Sequence, residues 1–277
     1  MINGVRMGFD DFGKGPAVLF IHDFPLNRKM WQKQIEPLVS SGFRVILTDL
    51  RGFGETEGTD EPVDIQTYSA DIIGLLNYLG IGRAVVCGLS LGGYILFDLM
   101  ERYPQRIAGA CLAASRPVSD DVQERAKRTE LRCALQDGRV EEVKIELFNM
   151  LFSGQEETAS SEFMTEIRSI LQSAAEPSLR SGLCAIGKRK DYTFLLRSLK
   201  IPTLLVGAEQ DPITYHKHTD IMAQQLPNCY KAVKLSSGHL VNMEKAEEFN
   251  AHMLDFLRNL LPIKAALPQM QPLLSFG

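Results

Sequence analysis

The stretch Ala84-Val-Val-Cys-Gly-Leu-Ser-Leu-Gly-Gly-Tyr94 sets Ser90 between Gly88 and Gly92, directly after a short apolar run. A G-x-S-x-G spacing at a strand-to-helix junction has a physical cause. The chain reverses so sharply that the serine is held in a strained conformation with its hydroxyl exposed, and the positions two before and two after must be very small. The helix that follows aims its free amides and its dipole at the hydroxyl. A serine at its ordinary pKa is a weak nucleophile, so acyl-transfer chemistry also needs a base, itself oriented by an acid. His239 stands in Lys234-Leu-Ser-Ser-Gly-His-Leu, just past the last strand candidate, and Asp211 follows Thr203-Leu-Leu-Val-Gly and precedes Pro212. Taken singly each has a structural reading; Asp211, for example, suits a helix N-cap before Ile213 and Thr214. The other histidines fit less well. His252 falls inside a helical pattern with Phe249, Met253, Phe256 and Leu257, His216 and His218 lie early in a helix, and His22 suits a loop-shaping role. Serine, acid and histidine in that order, each at the end of a strand, point together to nucleophilic catalysis.

The elements that must position these residues alternate. Apolar runs at Ala17–Ile21, Arg44–Thr48, Ala84–Cys87, Ile107–Ala113, Thr203–Gly207 and Lys231–Leu235 are short, as strands buried on both faces are. Helical patterns cover Met30–Ser40, Ile65–Leu79, Leu91–Arg102, Thr214–Leu226 and Glu244–Leu260. This alternation predicts an α/β fold with a mostly parallel sheet flanked by helices. Val5–Asp10 fits an antiparallel edge strand that leaves through Gly13-Lys14-Gly15-Pro16. The rhythm breaks between Ser119 and Leu199, where helical patterns dominate and no buried strand is evident. That break predicts a helical insertion over the end of the sheet where open α/β sheets bind ligands. Within it Phe148, Met150, Leu151 and Phe152 are candidates for an apolar lining or for core packing. Trp31 suits packing of the first helix, and Asp49 and Arg51 suit holding the turn after Thr48.

Composition narrows the function further. The 277-residue chain carries 45% hydrophobic and 23% charged residues and a formal charge of −4, which offers no electrostatic footprint for nucleic acid or an anionic membrane. No run approaches the ~20 apolar residues of a membrane span. The N-terminus shows no secretion signal, and the five cysteines are odd in number and scattered. These features predict a cytoplasmic protein with no nucleic-acid or membrane partner, and leave a homodimer open. Clustered His, Cys or Asp residues are missing, so no metal or organic cofactor is expected.

From about Gly8 to Leu260 the chain resembles the α/β-hydrolase superfamily, and most of all 3-oxoadipate enol-lactonase-like hydrolases and small carboxylesterases. The resemblance rests on Phe20-Ile-His-Asp-Phe-Pro25, Asp49-Leu-Arg-Gly-Phe-Gly-Glu-Thr56, Gly88-Leu-Ser-Leu-Gly-Gly93, the Asp211 loop, the Gly238-His239 loop and Ala114-Ser-Arg-Pro117. It implies a hydrolase core over residues 1–118 and 200–261, a helical cap or lid over 119–199 inserted after the sixth strand, and a C-terminal tail over 262–277. It further implies Ser90 as nucleophile, His239 as general base and acid, Asp211 as its orienting acid, and the backbone N–H groups of Phe24 and Leu91 as the oxyanion hole. The implied reaction is hydrolysis of a small-molecule substrate, a small or medium carboxylic ester or lactone. C–C bond hydrolysis, perhydrolysis, aminopeptidase activity and non-catalytic ligand binding are alternatives on the same scaffold. One residue departs from the family pattern. Position 23, glycine in most relatives, is aspartate here, and an inward carboxylate opposes a developing oxyanion. The expectation is that Asp23 turns outward, bonded to loop amides or paired with Arg28 or Arg51, with a role in modulating substrate as the alternative.

Overall fold

Alternation along the central strands builds the core. In the computed structural model, which describes residues 1–59, 63–152 and 160–261, strand β2 (Ala17–Ile21) is wholly buried. Its Leu19 and Ile21 side chains join one apolar cluster, and Val18 and Phe20 join another on the opposite face. A strand covered on both faces demands apolar residues at successive positions, which explains why the strands read as continuous apolar runs. The described residues form one seven-stranded sheet ordered β1-β3-β2-β4-β5-β6-β7. The remaining strands are β1 (Phe9–Phe12), β3 (Arg44–Thr48), β4 (Ala84–Leu89), β5 (Ile107–Ala113), β6 (Thr203–Ala208) and β7 (Cys229–Leu235). Only the β1–β3 pair is antiparallel.

Helices α1 (Gln32–Ser40), α2 (Ile65–Tyr78) and α3 (Leu91–Arg102) alternate with the first strands. Helices α4 (Val122–Gln136), α5 (Val140–Phe152), α6 (Ser161–Gln172) and α7 (Glu176–Gly187) all lie between β5 and β6. After β6 come α8 (Lys217–Gln225), α9 (Val241–Glu244) and α10 (Ala246–Leu260). Trp31 is fully buried and packs on Phe20 of β2 and Phe249 of α10, which makes it a core residue of the sheet face that α10 covers. Cys87 and Cys111 are likewise buried in the sheet, and all five cysteines are free. Among the described residues no helix is long and apolar enough to cross a membrane.

Four local differences from the sequence reading have physical causes. The first strand forms later than Val5–Asp10, because Arg6 and Gly8 spend their backbone groups on Glu57, Thr56 and Asp49 instead of a ladder. The helical insertion follows the fifth strand of the described residues, not the sixth that the family resemblance implied, because only the five strands from Phe9–Phe12 to Ile107–Ala113 precede it. The first helix is preceded by a 3₁₀ turn over Arg28–Trp31, capped by the Asn27 side chain on Lys29 N. Helix α8 starts at Lys217 because the Asp211 carboxylate takes the N–H groups of Ile213 and Thr214. The 262–277 tail lies outside the described residues.

The inserted helices pack on one another as α4 with α7, α4 with α5 and α5 with α6. A buried carboxylate anchors the place where they leave the sheet. Asp120 accepts from Arg116 ahead of α4, Arg128 on α4 and Arg189 just past α7. Burial opposes its ionisation, but the two stronger guanidinium partners, Arg128 and Arg189, hold its pKa below the ordinary carboxylate value.

Candidate active site

Strand β4 ends at Leu89 and α3 begins at Leu91, so Ser90 alone makes the turn, at φ 50° and ψ −106°. That backbone conformation is strained for a residue with a side chain. Ser90 N donates to Ala113 O of β5, and its own carbonyl accepts from Tyr94 N and from Ser115 Oγ. The flanking glycines are sterically required. A Cβ on Gly88 would stand 2.2 Å from Gly92 O, and one on Gly92 would stand 2.3 Å from Ile21 O.

His239 follows β7 and is completely buried. Its loop is braced by Glu244, whose carboxylate accepts from the N–H groups of Gly238 and Leu240. The Nδ1–H group of His239 donates to Asp211 Oδ2 at 2.9 Å. Asp211 is in turn fixed by its own loop, accepting from Ile213 N at 2.8 Å, from Thr214 N at 3.1 Å and from Thr214 Oγ1. Burial raises the cost of its charge, but the field and hydrogen bond of His239, with Thr214 and Ile213 N–H behind them, keep its pKa below the ordinary value. The helix-capping reading of Asp211 does not hold, because α8 begins only at Lys217: Asp211 Oδ1 takes the Ile213 and Thr214 amides of a turn, while Oδ2 meets the histidine.

The other face of the ring is where the structure differs from expectation. Asp23 does not turn outward. It is 2% exposed, and its Oδ2 accepts from His239 Nε2 at 3.1 Å while its Oδ1 accepts from Leu91 N at 3.2 Å. The proposed outward partners are engaged elsewhere: Arg28 with Asp10, Asp49 and Glu55, and Arg51 with Asp71. The reason lies at the start of α3. Its first amide has no partner inside the helix and the helix dipole is positive there, so an anion is stabilised at that point. The backbone of Asp23 is also held inward, its N–H on Met30 Sδ and its carbonyl accepting from Leu26 N and from His22 Nδ1. His22 accepts from Leu50 N at Nε2, and burial keeps its pKa below the ordinary histidine value, consistent with a neutral loop-shaping ring.

His239 is thus gripped by two carboxylates, and carboxylate oxygens only accept hydrogen bonds. While both carboxylates are ionised, a ring that makes both bonds carries two N–H groups and is an imidazolium. Burial disfavours that charge, but the fields and hydrogen bonds of Asp211 and Asp23 outweigh it and hold the pKa well above the ordinary histidine value.

Ser90, Asp23 and His239 border one small cavity of about 40 Å³, together with Phe24, Pro25, Tyr94, Arg128, Leu147, Met150, Leu151, Ile186 and Ile213. Met150 and Leu151 therefore face it, whereas Phe148 and Phe152 pack on each other and Phe152 meets Phe163 edge-on. Tyr94, Arg128 and Ile186 were not singled out from the sequence. Tyr94 had a local signal, four residues beyond Ser90 on α3, but the other two come from inserted helices that no motif marks. Phe24 N makes no hydrogen bond among the described residues, and its ring packs edge-on against Phe53 at 6.0 Å.

Comparison with known proteins places this geometry. A pattern described as the alpha/beta hydrolase fold matches residues 16–129. The chain is 25% identical to bifunctional epoxide hydrolase 2 of Sus scrofa, over 92% of this chain and 53% of that protein, so it spans about half of that relative's length. It is 26% identical to 3-oxoadipate enol-lactonase 1 of Acinetobacter baylyi, over 88% of this chain and 90% of that one. Among solved structures, a thermophilic esterase from Thermogutta terrifontis matches with a TM-score of 0.85 and 30% identity, over 92% of this chain and 94% of that chain. With the sheet order, the turn at Ser90 and a solved relative aligned over nearly the full length of both chains, the protein belongs to the α/β-hydrolase superfamily.

Proposed function

We propose that the protein is a serine hydrolase that cleaves small or medium carboxylic esters or lactones through a Ser90 acyl-enzyme. The observation that carries this reading is the shared cavity of Ser90, strained at the head of α3, and His239, oriented from behind by a loop-fixed Asp211. In the reaction, neutral His239 takes the Ser90 hydroxyl proton at Nε2 while Oγ bonds to the substrate carbonyl carbon. The carbonyl oxygen becomes an oxyanion received by the N–H groups of Leu91 and Phe24, and each such donor is worth ~3–4 kcal/mol of barrier. His239 then gives its proton to the leaving oxygen, and a water molecule repeats the sequence to release the acid. Asp211 keeps the ring in the reacting tautomer throughout.

Helices α4–α7 act in this reading as a cap over residues 119–199, with Leu147, Met150, Leu151 and Ile186 giving the cavity an apolar acyl-binding wall. The free cysteines support a reducing compartment. The similarities to a lactonase and an esterase support the substrate class. The test is fluorophosphonate labelling combined with 4-nitrophenyl acetate turnover. The purified protein is expected to label at Ser90, and Ser90→Ala to lose labelling and about 10⁴-fold or more of turnover. Ser90-independent turnover, or an unlabelled serine in every variant, overturns the reading.

A further inference from the structure

The site described above is closed to the chemistry just proposed for it by one of its own side chains. We propose that Asp23 occupies the oxyanion position of the resting enzyme and sets its specificity, because a substrate carbonyl enters only by taking the hydrogen bond that Asp23 Oδ1 holds on Leu91 N. This rests on the serine-hydrolase reading and adds the residue that limits it.

The geometry carries the inference. Asp23 Oδ1 accepts from Leu91 N at 3.2 Å, the amide that follows the serine and the donor an oxyanion would use. Asp23 Oδ2 accepts from His239 Nε2 at 3.1 Å, the nitrogen that must accept the serine proton. One carboxylate therefore holds both groups that acylation needs, and it stands where a bound anion is best stabilised, at the N-terminus of a 12-residue helix. It mimics the charge of the tetrahedral intermediate without the covalent bond.

Opening the site is a balanced proton transfer. The Nε2 proton passes to Asp23 Oδ2, leaving a neutral imidazole and a neutral carboxyl group. The uncharged side chain leaves Leu91 N for the apolar part of the cavity, walled by Phe24, Pro25, Leu147 and Leu151, where a carboxyl group is tolerated far better than a carboxylate. Arg128, the cation on the same wall, is already paired with Asp120. Ser90 Oγ–H then meets a free Nε2, and the carbonyl oxygen meets a free amide. A weakly polarised ester competes poorly with the resident carboxylate; an acyl group whose carbonyl oxygen binds the amide strongly competes well.

Two variants and two readouts test this. Asp23→Gly is expected to raise kcat/KM for 4-nitrophenyl acetate and the fluorophosphonate labelling rate of Ser90 by about tenfold or more. Asp23→Asn, which keeps the shape and loses the charge, is expected to fall between wild type and Asp23→Gly. In proton NMR of the full-length protein, the downfield Nε2–H signal of an imidazolium bonded to a carboxylate is expected in wild type and lost in Asp23→Gly. Turnover and labelling that are unchanged or slower in both folded variants overturn the proposal. If Ser90 labels in no variant, the hydrolase reading fails by itself. The NMR comparison still judges Asp23 in that case: an identical His239 spectrum in Asp23→Gly overturns its seating, and a lost signal upholds it.

Discussion

His239 lies between two carboxylates that are built in opposite ways. Asp211 is held by three donors from its own loop besides the histidine, so it is fixed whether or not the ring is present. The side-chain oxygens of Asp23 rest on two donors, Leu91 N and His239 Nε2, and both belong to the reacting machinery. A carboxylate whose partners are independent of the reaction orients; one whose partners are the reaction's own must yield.

That contrast predicts effects of opposite sign. The largest is Asp211→Asn, expected to lower kcat on 4-nitrophenyl acetate by about 10⁴-fold by favouring the wrong tautomer of His239; a loss under tenfold would make the two carboxylates equivalent and break the comparison. Next is the pH profile. Activity needs neutral His239, and the folded site holds its pKa above the ordinary value. In wild type the proton that leaves Nε2 stays on Asp23, so kcat/KM is expected to fall as pH rises through the folded pKa of that pair, above about 6.5, and strips the proton away. In Asp23→Gly no carboxylate takes that proton and one of the causes that raise the pKa is gone, so kcat/KM instead rises with pH, through a lower midpoint. Asp211, and Glu244 beneath the His239 loop, remain in both proteins. The same linkage bears on folding. A raised histidine pKa adds stability that is fully present below the unfolded value near 6.5 and lost as pH rises through the folded one. Urea titrations at several pH values should show a smaller slope over that range in Asp23→Gly. The smallest effect belongs to Thr214→Ala, which removes one of several donors from Asp211. It is expected to cost about 1 kcal/mol of stability with only a few-fold loss in kcat, because Ile213 N still holds the carboxylate.

The parts legible in the sequence are those whose constraints are local. Gly88 and Gly92 are fixed by atoms four residues apart or on the adjoining strand, and a spacing pattern records that kind of constraint. The buried strands announce themselves because both faces need apolar residues. The orientation of Asp23 was not legible, since its partners lie 68 and 216 positions away along the chain. Its chemistry suggested a surface pair with Arg28 or Arg51, and nothing local indicates that Asp49 and Asp71 already hold those guanidinium groups. The cavity wall was half legible for the same reason. Periodicity marks Phe148, Met150, Leu151 and Phe152 as apolar, but which of them meet Ser90 depends on how α5 sits on α4 and α6.

Helix α7 makes a close approach that ties substrate choice to rate. A methyl group on Gly182 would stand 2.6 Å from the ring of Phe24, the residue next to Asp23. Anyone reshaping the acyl wall through α7 is therefore also adjusting the loop that carries Asp23. Libraries aimed there will return variants whose altered selectivity cannot be separated from altered speed, and leaving position 182 as glycine is the simplest way to keep the two independent.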